Sequence, residues 1–205
     1  MTVKALVATF AVFTIFDGNV LGETSKSYNT LSKQGFEVCV MDVRATTYHK
    51  TESGADKETR RGESSTGVKL AEVKPKVVGS IAIDPKVIPY GSLVIITTKS
   101  GESYRFLCVD TGGDVKSRKA SKLLAKKQKL GSNWSKRPVI DIYTTKHYDD
   151  WMSIVVIKDK NPLGPKDPGF RSRLKERMSA DFWSGSHEIV SGALRLADSN
   201  FLAKN

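Results

Sequence analysis

Three aspartates stand where an apolar segment of the sequence stops or turns. Asp84 lies in the segment IAIDP, Asp110 in LCVDTGG and Asp141 in VIDIY. Apolar surroundings and a neighbouring carboxylate both raise the pKa of an aspartate, so that one such group can hold a proton near neutral pH. A carboxyl in that state can donate a proton and later remove one. The sequence therefore points to acid–base chemistry at these positions.

The segment around Asp110 also has an alternative interpretation. Aspartic proteases present a catalytic carboxylate in an Asp-Thr-Gly loop, and two such loops share one proton. This sequence holds one Asp-Thr-Gly loop, so only a dimer would supply the second. A dimeric enzyme of that kind also needs a glycine-rich flap and an apolar-Gly-Arg turn near its end, and the sequence has neither. These features disfavour a protease.

Six segments are predicted to be the strands that position the aspartates, because their apolar residues alternate or run between turn signals. They are residues 38–48, 77–83, 92–97, 104–109, 139–145 and 153–158. Asp84-Pro85 ends the second strand, since proline cannot donate a ladder hydrogen bond. Residues 49–65 are polar and charged, and are predicted to form a long exposed loop.

Helical spacing predicts three helices, at residues 116–130, 170–182 and 187–202. In the first, Ala120, Leu123, Leu124 and Lys127 share one face, and a glycine at position 131 is a fair stop. The predicted organisation is a linker over residues 23–35, a β domain over 36–160 and a helical C-terminal extension over 161–205.

The charge and the first residues of the chain bear on its partners. The net charge of +11 and pI of about 9.6 attract polyanions. Residues 5–16 are uncharged and mostly apolar, follow Lys4, and precede a polar break and the small or aliphatic residues 20–22. This pattern predicts a signal peptide over residues 1–22, although a buried strand or helix is an alternative. The apolar run is too short for a membrane span, so an integral membrane protein is not expected. Export to the periplasm or cell wall would make nucleic acid a poor partner.

Six short motifs occur in an order that is characteristic as a set. They are ATTY at 45–48, STG at 65–67, GSIAIDP at 79–85, IPYG at 88–91, VDTGG at 109–113 and IDIY at 140–143. Together they resemble the 3D domain, named for three aspartates, of the membrane-bound lytic transglycosylase A type and its Gram-positive muralytic relatives. The resemblance implies a mainly β fold, a six-stranded double-psi β-barrel, here with a helical insertion and a helical C-terminal tail. It also implies cleavage of peptidoglycan strands at the MurNAc-GlcNAc bond without water, leaving a 1,6-anhydro-muramic end.

The resemblance also implies roles for the three aspartates. Asp141 is the catalytic position, and its neighbours in sequence are the most apolar of the three. Asp110 would be the carboxylate that polarises it, and Asp84 would help shape the groove. Each residue has a structural alternative: an Asx turn before proline for Asp84, a turn cap for Asp110, and a salt-bridged strand residue for Asp141.

Further residues of the same motifs are predicted to contact the glycan. They are Tyr48, Thr66, Lys69, Thr111, Gly112, Gly113 and Tyr143. Lys69 could orient a sugar or phosphate, or be simply solvated. The three histidines, at positions 49, 147 and 187, lack ligand-like spacing, so neither a metal nor another cofactor is expected.

The gap between Asp110 and Asp141 is longer than in most relatives, because it contains residues 116–137. This insertion carries nine basic residues and no acid. It is either a solvated helix face or a clamp for anionic envelope polymers or peptide-stem carboxylates. The chain has two cysteines, Cys39 and Cys108, which are predicted to form a disulfide in an oxidising compartment; buried free thiols are the alternative.

Two functional hypotheses of different class follow. The first is an exported lytic transglycosylase that acts on peptidoglycan glycan strands. The second is an expansin-like module that binds wall glycan through the same carboxylates without cleaving it.

Overall fold

The chain folds into a closed barrel of six β-strands, described by a computed structural model over residues 35–74, 77–98, 102–146, 150–184 and 191. The strands are β1 Phe36–Tyr48, β2 Gly79–Ala82, β3 Leu93–Thr97, β4 Ser103–Asp110, β5 Val139–Tyr143 and β6 Asp150–Asp159. The helices within this part of the chain are α1 Lys57–Arg60, α2 Gly113–Ser117, α3 Lys119–Lys127, α4 Ser132–Ser135, α5 Phe170–Met178 and α6 Ala180–Ser184. The prediction of a mainly β, six-stranded barrel is confirmed. The predicted signal peptide and nearly all of the predicted linker lie outside the described residues, as does the predicted helix over 187–202 apart from residue 191.

The order of strands around the barrel differs from their order in the chain. It runs β1-β5-β2-β4-β3-β6 and then closes. The last five residues of β1 pair in parallel with β5, and its first ten pair antiparallel with β6. β2 lies between β4, to which it is parallel, and β5, to which it is antiparallel. This interleaving places segments from both halves of the chain side by side.

Alternate residues of a strand enter different parts of the core, because strand side chains alternate between two faces. In β3, Val94 and Ile96 join one buried cluster, whereas Leu93 and Ile95 join another. The second cluster also contains Trp183 from α6. With both faces covered, β3 must be apolar along nearly its whole length, as its sequence LVIIT is.

The C-terminal helices pack against the barrel through an arginine. The Arg177 guanidinium pairs with Asp159 at 2.6 Å and donates to the Gly91 carbonyl at 2.9 Å. The backbone carbonyl of Arg177 accepts a hydrogen bond from the indole of Trp183. Gly91 has a φ of +76°, and a Cβ there would lie 2.9 Å from Arg177 Nη1, so the contact requires glycine. The predicted single helix over 170–182 is wrong, because Ser179 is extended and separates α5 from α6.

The helical insertion also departs from its prediction. Arg118 has a left-handed φ of 56°, which divides the expected single helix into α2 and α3. Ser121 and Ala125 face inward, whereas Leu123, expected on the apolar face, is 61% exposed. The Ser121 hydroxyl donates to the Arg137 carbonyl at 2.9 Å, so a contact distant in the chain, and not the apolar spacing, accompanies the burial of this face.

Two other expectations need correction. The loop after β1 is not wholly exposed: it contains α1, capped by Asp56, and the flanking His49 and Ser64 are buried. The disulfide prediction is wrong as well, since Cys39 and Cys108 are both free thiols. They lie in β1 and β4, which are separated by two strands in either direction around the barrel.

None of the helices within the described residues is long and apolar enough to cross a bilayer.

Candidate active site

Strand β2 brings the three aspartates together. Ala82, in this strand, pairs on one side with Asp110 of β4 and on the other with Asp141 of β5. Asp84 follows Ala82 by two residues. The backbone N–H of Ile83 donates to the carbonyl of Asp110 at 3.0 Å and extends the contact beyond the end of β2. Asp84, Asp110 and Asp141 are referred to below as the aspartate site.

Asp110 is buried and holds its carboxylate in a fixed position. Its Oδ1 accepts hydrogen bonds from the backbone N–H of Ser65 at 2.8 Å and of Thr111 at 2.9 Å. Its Oδ2 accepts one from the hydroxyl of Tyr48 at 2.9 Å. These three donors fix the orientation of the carboxylate. Asp110 is therefore both an anchor for the surrounding loops and a fixed negative charge in the site.

Asp141 is in a different environment. It lies in the middle of β5, opposite Thr46 of β1, and the Thr46 hydroxyl donates to its Oδ1 at 2.8 Å. Burial raises the pKa of Asp141 to about 6; the Thr46 hydrogen bond opposes the shift, and the acidic residues Glu52, Asp110 and Asp114 add to it. The carboxyl is only partly exposed. Asp141 can thus be protonated or ionised near neutral pH, as an acid–base group must be.

Asp84 is bound into its own turn. Its side chain accepts from the N–H of Lys86 at 3.1 Å, and its carbonyl accepts from Val87 and Ile88 at 2.9 and 3.0 Å. This geometry is the Asx turn that was its structural alternative. The contacts give Asp84 the role of fixing the chain after β2, and its part in catalysis stays a prediction.

Three aromatic rings pack together beside the aspartate site. Tyr48 and Tyr143 are cross-strand partners whose rings meet edge to face at 5.3 Å, and His49 lies 5.1 Å from Tyr143. Burial and Asp110 raise the pKa of Tyr48, so its hydroxyl keeps its proton and remains a donor. Tyr143 is only 4% exposed. The ring of Tyr143 thus packs against its neighbours, and its predicted contact with glycan stays a prediction.

Thr66 and Lys69, both predicted to contact the substrate, have different surroundings. Thr66 is buried, and its hydroxyl donates to the Val109 carbonyl at 2.7 Å, which fastens its loop to β4. This contact gives Thr66 a positioning role, and its predicted contact with the substrate stays a prediction. Lys69 is exposed and pairs with Glu63 at 2.9 Å. Its substrate role stays a prediction that this ion pair does not favour.

The turn after Asp110 leaves open space. Thr111 donates its N–H to Asp110, and Gly112 is the extended residue that precedes α2. A Cβ added at Gly112 or Gly113 would meet no atom within 4 Å, and both residues are exposed. This space would admit a sugar ring to the backbone, and the predicted glycan contacts of these residues stay predictions.

Several site residues were missed by the analysis of the sequence. Thr46 holds Asp141, and Ser65 holds Asp110. The hydroxyl of Tyr90 lies near Ser65 and Thr111, which lower its pKa against the larger raising effect of burial. All three lie inside the motifs ATTY, STG and IPYG. A signal for Thr46 existed, because it alternates with Tyr48 and so shares its strand face.

No three His, Cys, Asp or Glu side chains within the described residues converge as a metal-binding group. The acids around Asp141 act on it through charge alone in this arrangement. The geometry supports proton transfer by Asp141, with Asp110 as a fixed anion nearby.

The closed β-barrel and the three aspartates at one site are the features by which the chain can be assigned to a class of protein. Residues 79–146 match the family model of the 3D domain, so the chain carries a 3D domain over this stretch, as the order of the motifs predicted. The matched stretch contains all three aspartates but not β1, which supplies Thr46 and Tyr48. No curated protein and no solved structure matches the chain.

Proposed function

We propose that the chain is an exported lytic transglycosylase that cleaves the MurNAc-GlcNAc glycan strand of peptidoglycan. The observation that carries this proposal is Asp141, a partly buried carboxyl with a pKa raised to about 6 beside a second, fixed carboxylate. The 3D domain over residues 79–146 belongs to a family associated with lytic transglycosylase-like barrels of the cell wall.

In the proposed reaction, protonated Asp141 donates its proton to the glycosidic oxygen. The bond between that oxygen and C1 of the muramyl residue breaks, and positive charge develops on the ring. The Asp141 carboxylate then removes the proton from the 6-hydroxyl of the same sugar. The oxygen of that hydroxyl bonds to C1. The products are a free hydroxyl and a 1,6-anhydro end, and Asp141 is protonated again without water being consumed.

The hydrogen bonds that Asp110 accepts fit a reaction in which only one carboxyl transfers protons. A hydrolase needs a second carboxylate that either attacks the sugar or activates water. Both oxygens of Asp110 already accept hydrogen bonds, from Tyr48, Ser65 and Thr111. We assign Asp110 the stabilisation of positive charge on the sugar, which an immobile anion performs without reorganising.

The finer fold and the location belong to the same proposal. Two parallel pairs, β1 with β5 and β2 with β4, stand on either side of the antiparallel pair β5 with β2, and the three remaining pairs around the barrel are antiparallel. This supports a double-psi barrel, in which loops cross between parallel strands. Export is proposed from the pattern of residues 1–22 alone.

The proposal is tested by incubating purified sacculi with the protein and analysing the released fragments by mass spectrometry. Anhydro-muropeptides are expected from the wild type, and Asp141→Asn should lose them by roughly 10²–10⁴-fold. Asp167→Asn, in an exposed turn after the barrel, is the matched control and should retain full activity.

Two outcomes would contradict the assignment. In heavy-oxygen water, label in the new sugar ends would indicate a hydrolase. Binding to sacculi without any released fragment, by wild type and Asp141→Asn alike, would indicate the expansin-like binding module.

A further inference from the structure

The insertion between Asp110 and Asp141 presents an exposed field of lysines. Residues 116–137 hold nine of the chain's 33 lysines and arginines and no Asp or Glu. All lysines of the insertion are exposed: Lys116, Lys119, Lys122, Lys126, Lys127, Lys129 and Lys136. None of them forms an ion pair with an acid among the described residues. The positive charge of these seven lysines is thus uncompensated within the described part of the molecule, whereas Arg137 of the same insertion pairs with Asp42.

The helix that carries most of this charge contributes little to the hydrophobic core. The inward face of α3 is formed by Ser121 and Ala125. The insertion is held together mainly by polar contacts, from Ser121 to the Arg137 carbonyl and from Arg118 to the Lys136 carbonyl, each at 2.9 Å. A third contact of 2.9 Å joins it to β6, from the Trp151 indole to the side chain of Gln128. Apart from the contact of the Trp134 and Trp151 rings, apolar packing therefore contributes little to holding the insertion on the barrel.

The lysines of α3 are arranged as one face. Lys119, Lys122, Lys126 and Lys127 follow helical spacing and lie opposite the buried residues, so neighbouring ammonium groups repel one another. A bound anion would relieve this repulsion. Among these lysines the exposed side chain of Leu123 offers a single apolar contact.

We propose that this face, formed by α3 together with Lys129 and Lys136, binds a linear phosphodiester-linked polymer of the cell envelope. Lysines are compact charges on flexible stems, and they suit a repeating, mobile anion better than one rigid group. The same insertion lines an open depression of about 610 Å³ beside β1, in which Arg137 is already paired with Asp42 and Lys136 supplies the unpaired positive charge. The inference rests on the proposed function only for the location in the envelope.

Two other polyanions fit the face less well. A helix that lies on a lipid surface needs a broad apolar face, and α3 exposes Leu123 alone. Proteins that bind single-stranded nucleic acid use free aromatic rings for stacking. Here the rings of Trp134 and Trp151 meet each other at 5.1 Å, and the guanidinium of Arg137 covers Trp134 at 5.3 Å.

The test measures binding of the full-length protein to synthetic poly(glycerol phosphate) of defined length over a range of salt concentrations. The variant Lys119→Gln/Lys122→Gln/Lys126→Gln keeps good helix formers on α3 and removes three charges. Its control, Lys74→Gln/Lys166→Gln/Lys175→Gln, removes three exposed charges elsewhere. We expect the first variant to bind more weakly, with a slope of log affinity against log salt reduced by about 2, since each phosphate contact contributes roughly 0.7 for a flexible strand.

Equal binding by the two triple variants would overturn the proposal, as would tighter binding of the wild type to anionic phospholipid vesicles or to DNA of equal phosphate number. Leu123→Ser adds a second readout, because it should weaken vesicle binding and leave polymer binding nearly unchanged. Asp141→Asn should bind the polymer as the wild type does. Failure of glycan cleavage therefore cannot be confused with failure of this surface.

Discussion

Replacing Asp141 by asparagine should make the protein inactive and, at neutral pH, more stable. Asparagine has nearly the same shape and can still accept the hydrogen bond from Thr46, but it has no charge to bury. Burial in the native state raises the pKa of Asp141 from its ordinary value of 3.8 to about 6. Ionisation of the wild-type carboxyl at pH 7 therefore opposes folding.

The magnitude follows from this difference in pKa. At pH 7 the carboxylate is ionised in both states, and the difference between 3.8 and about 6 corresponds to at most about 3 kcal/mol of lost stability. Below pH 3.8 the group is protonated in both states, and the loss disappears. Since the folded state binds the proton more tightly, wild-type stability should fall, relative to the variant, as the pH rises from about 4 to 6.

Urea denaturation of both proteins at a series of pH values measures this. The free energy of unfolding of Asp141→Asn should exceed that of the wild type at pH 7, and the two should converge near pH 3.5 if both remain folded. The same pKa predicts that wild-type glycan cleavage declines as the pH rises above about 6, because the acid form is lost. A stability difference that does not change with pH would refute the assignment of a buried, proton-binding carboxyl.

Three further perturbations test the surroundings of the site and the core. Thr46→Val removes the hydrogen bond that lowers the pKa of Asp141, so the alkaline limb of the pH–activity profile should move to higher pH; an unmoved limb would contradict this. Tyr48→Phe removes one of three donors to the buried carboxylate of Asp110 and should cost about 1–3 kcal/mol in urea denaturation, whereas an unchanged midpoint would show that the hydrogen bond contributes nothing net. Trp183→Ala should cost about 3–5 kcal/mol, because the ring is 0% exposed inside the barrel core, and a loss below about 1 kcal/mol would mean that the C-terminal helices are not part of that core.

The elements that local sequence determines were predicted well. Alternating or continuous apolar residues set the positions of all six strands within a few residues, since side-chain periodicity acts over a few positions. The motifs likewise placed the 3D domain. The helical face of α3 and the pairing of the two cysteines were wrong, because both depend on which surfaces the barrel brings into contact. Helical spacing alone could not show that Leu123 lies outside while Ser121 lies inside.

The sequence by itself determined which carboxyls are candidates for the site and that Asp141 would sit among apolar residues, because these are properties of short segments. The tertiary structure decided the burial and the hydrogen-bond partners of each carboxyl. Closing the barrel in the order β1-β5-β2-β4 placed Ala82 between Asp110 and Asp141, and brought Thr46 and Tyr48 to them from more than sixty positions away in the chain. Three donors then hold the carboxylate of Asp110 in place, whereas burial raises the pKa of Asp141 toward neutral pH against the single hydrogen bond from Thr46. Such differences arise from solvent exclusion and from long-range contacts, and neither is encoded in any single stretch of the sequence.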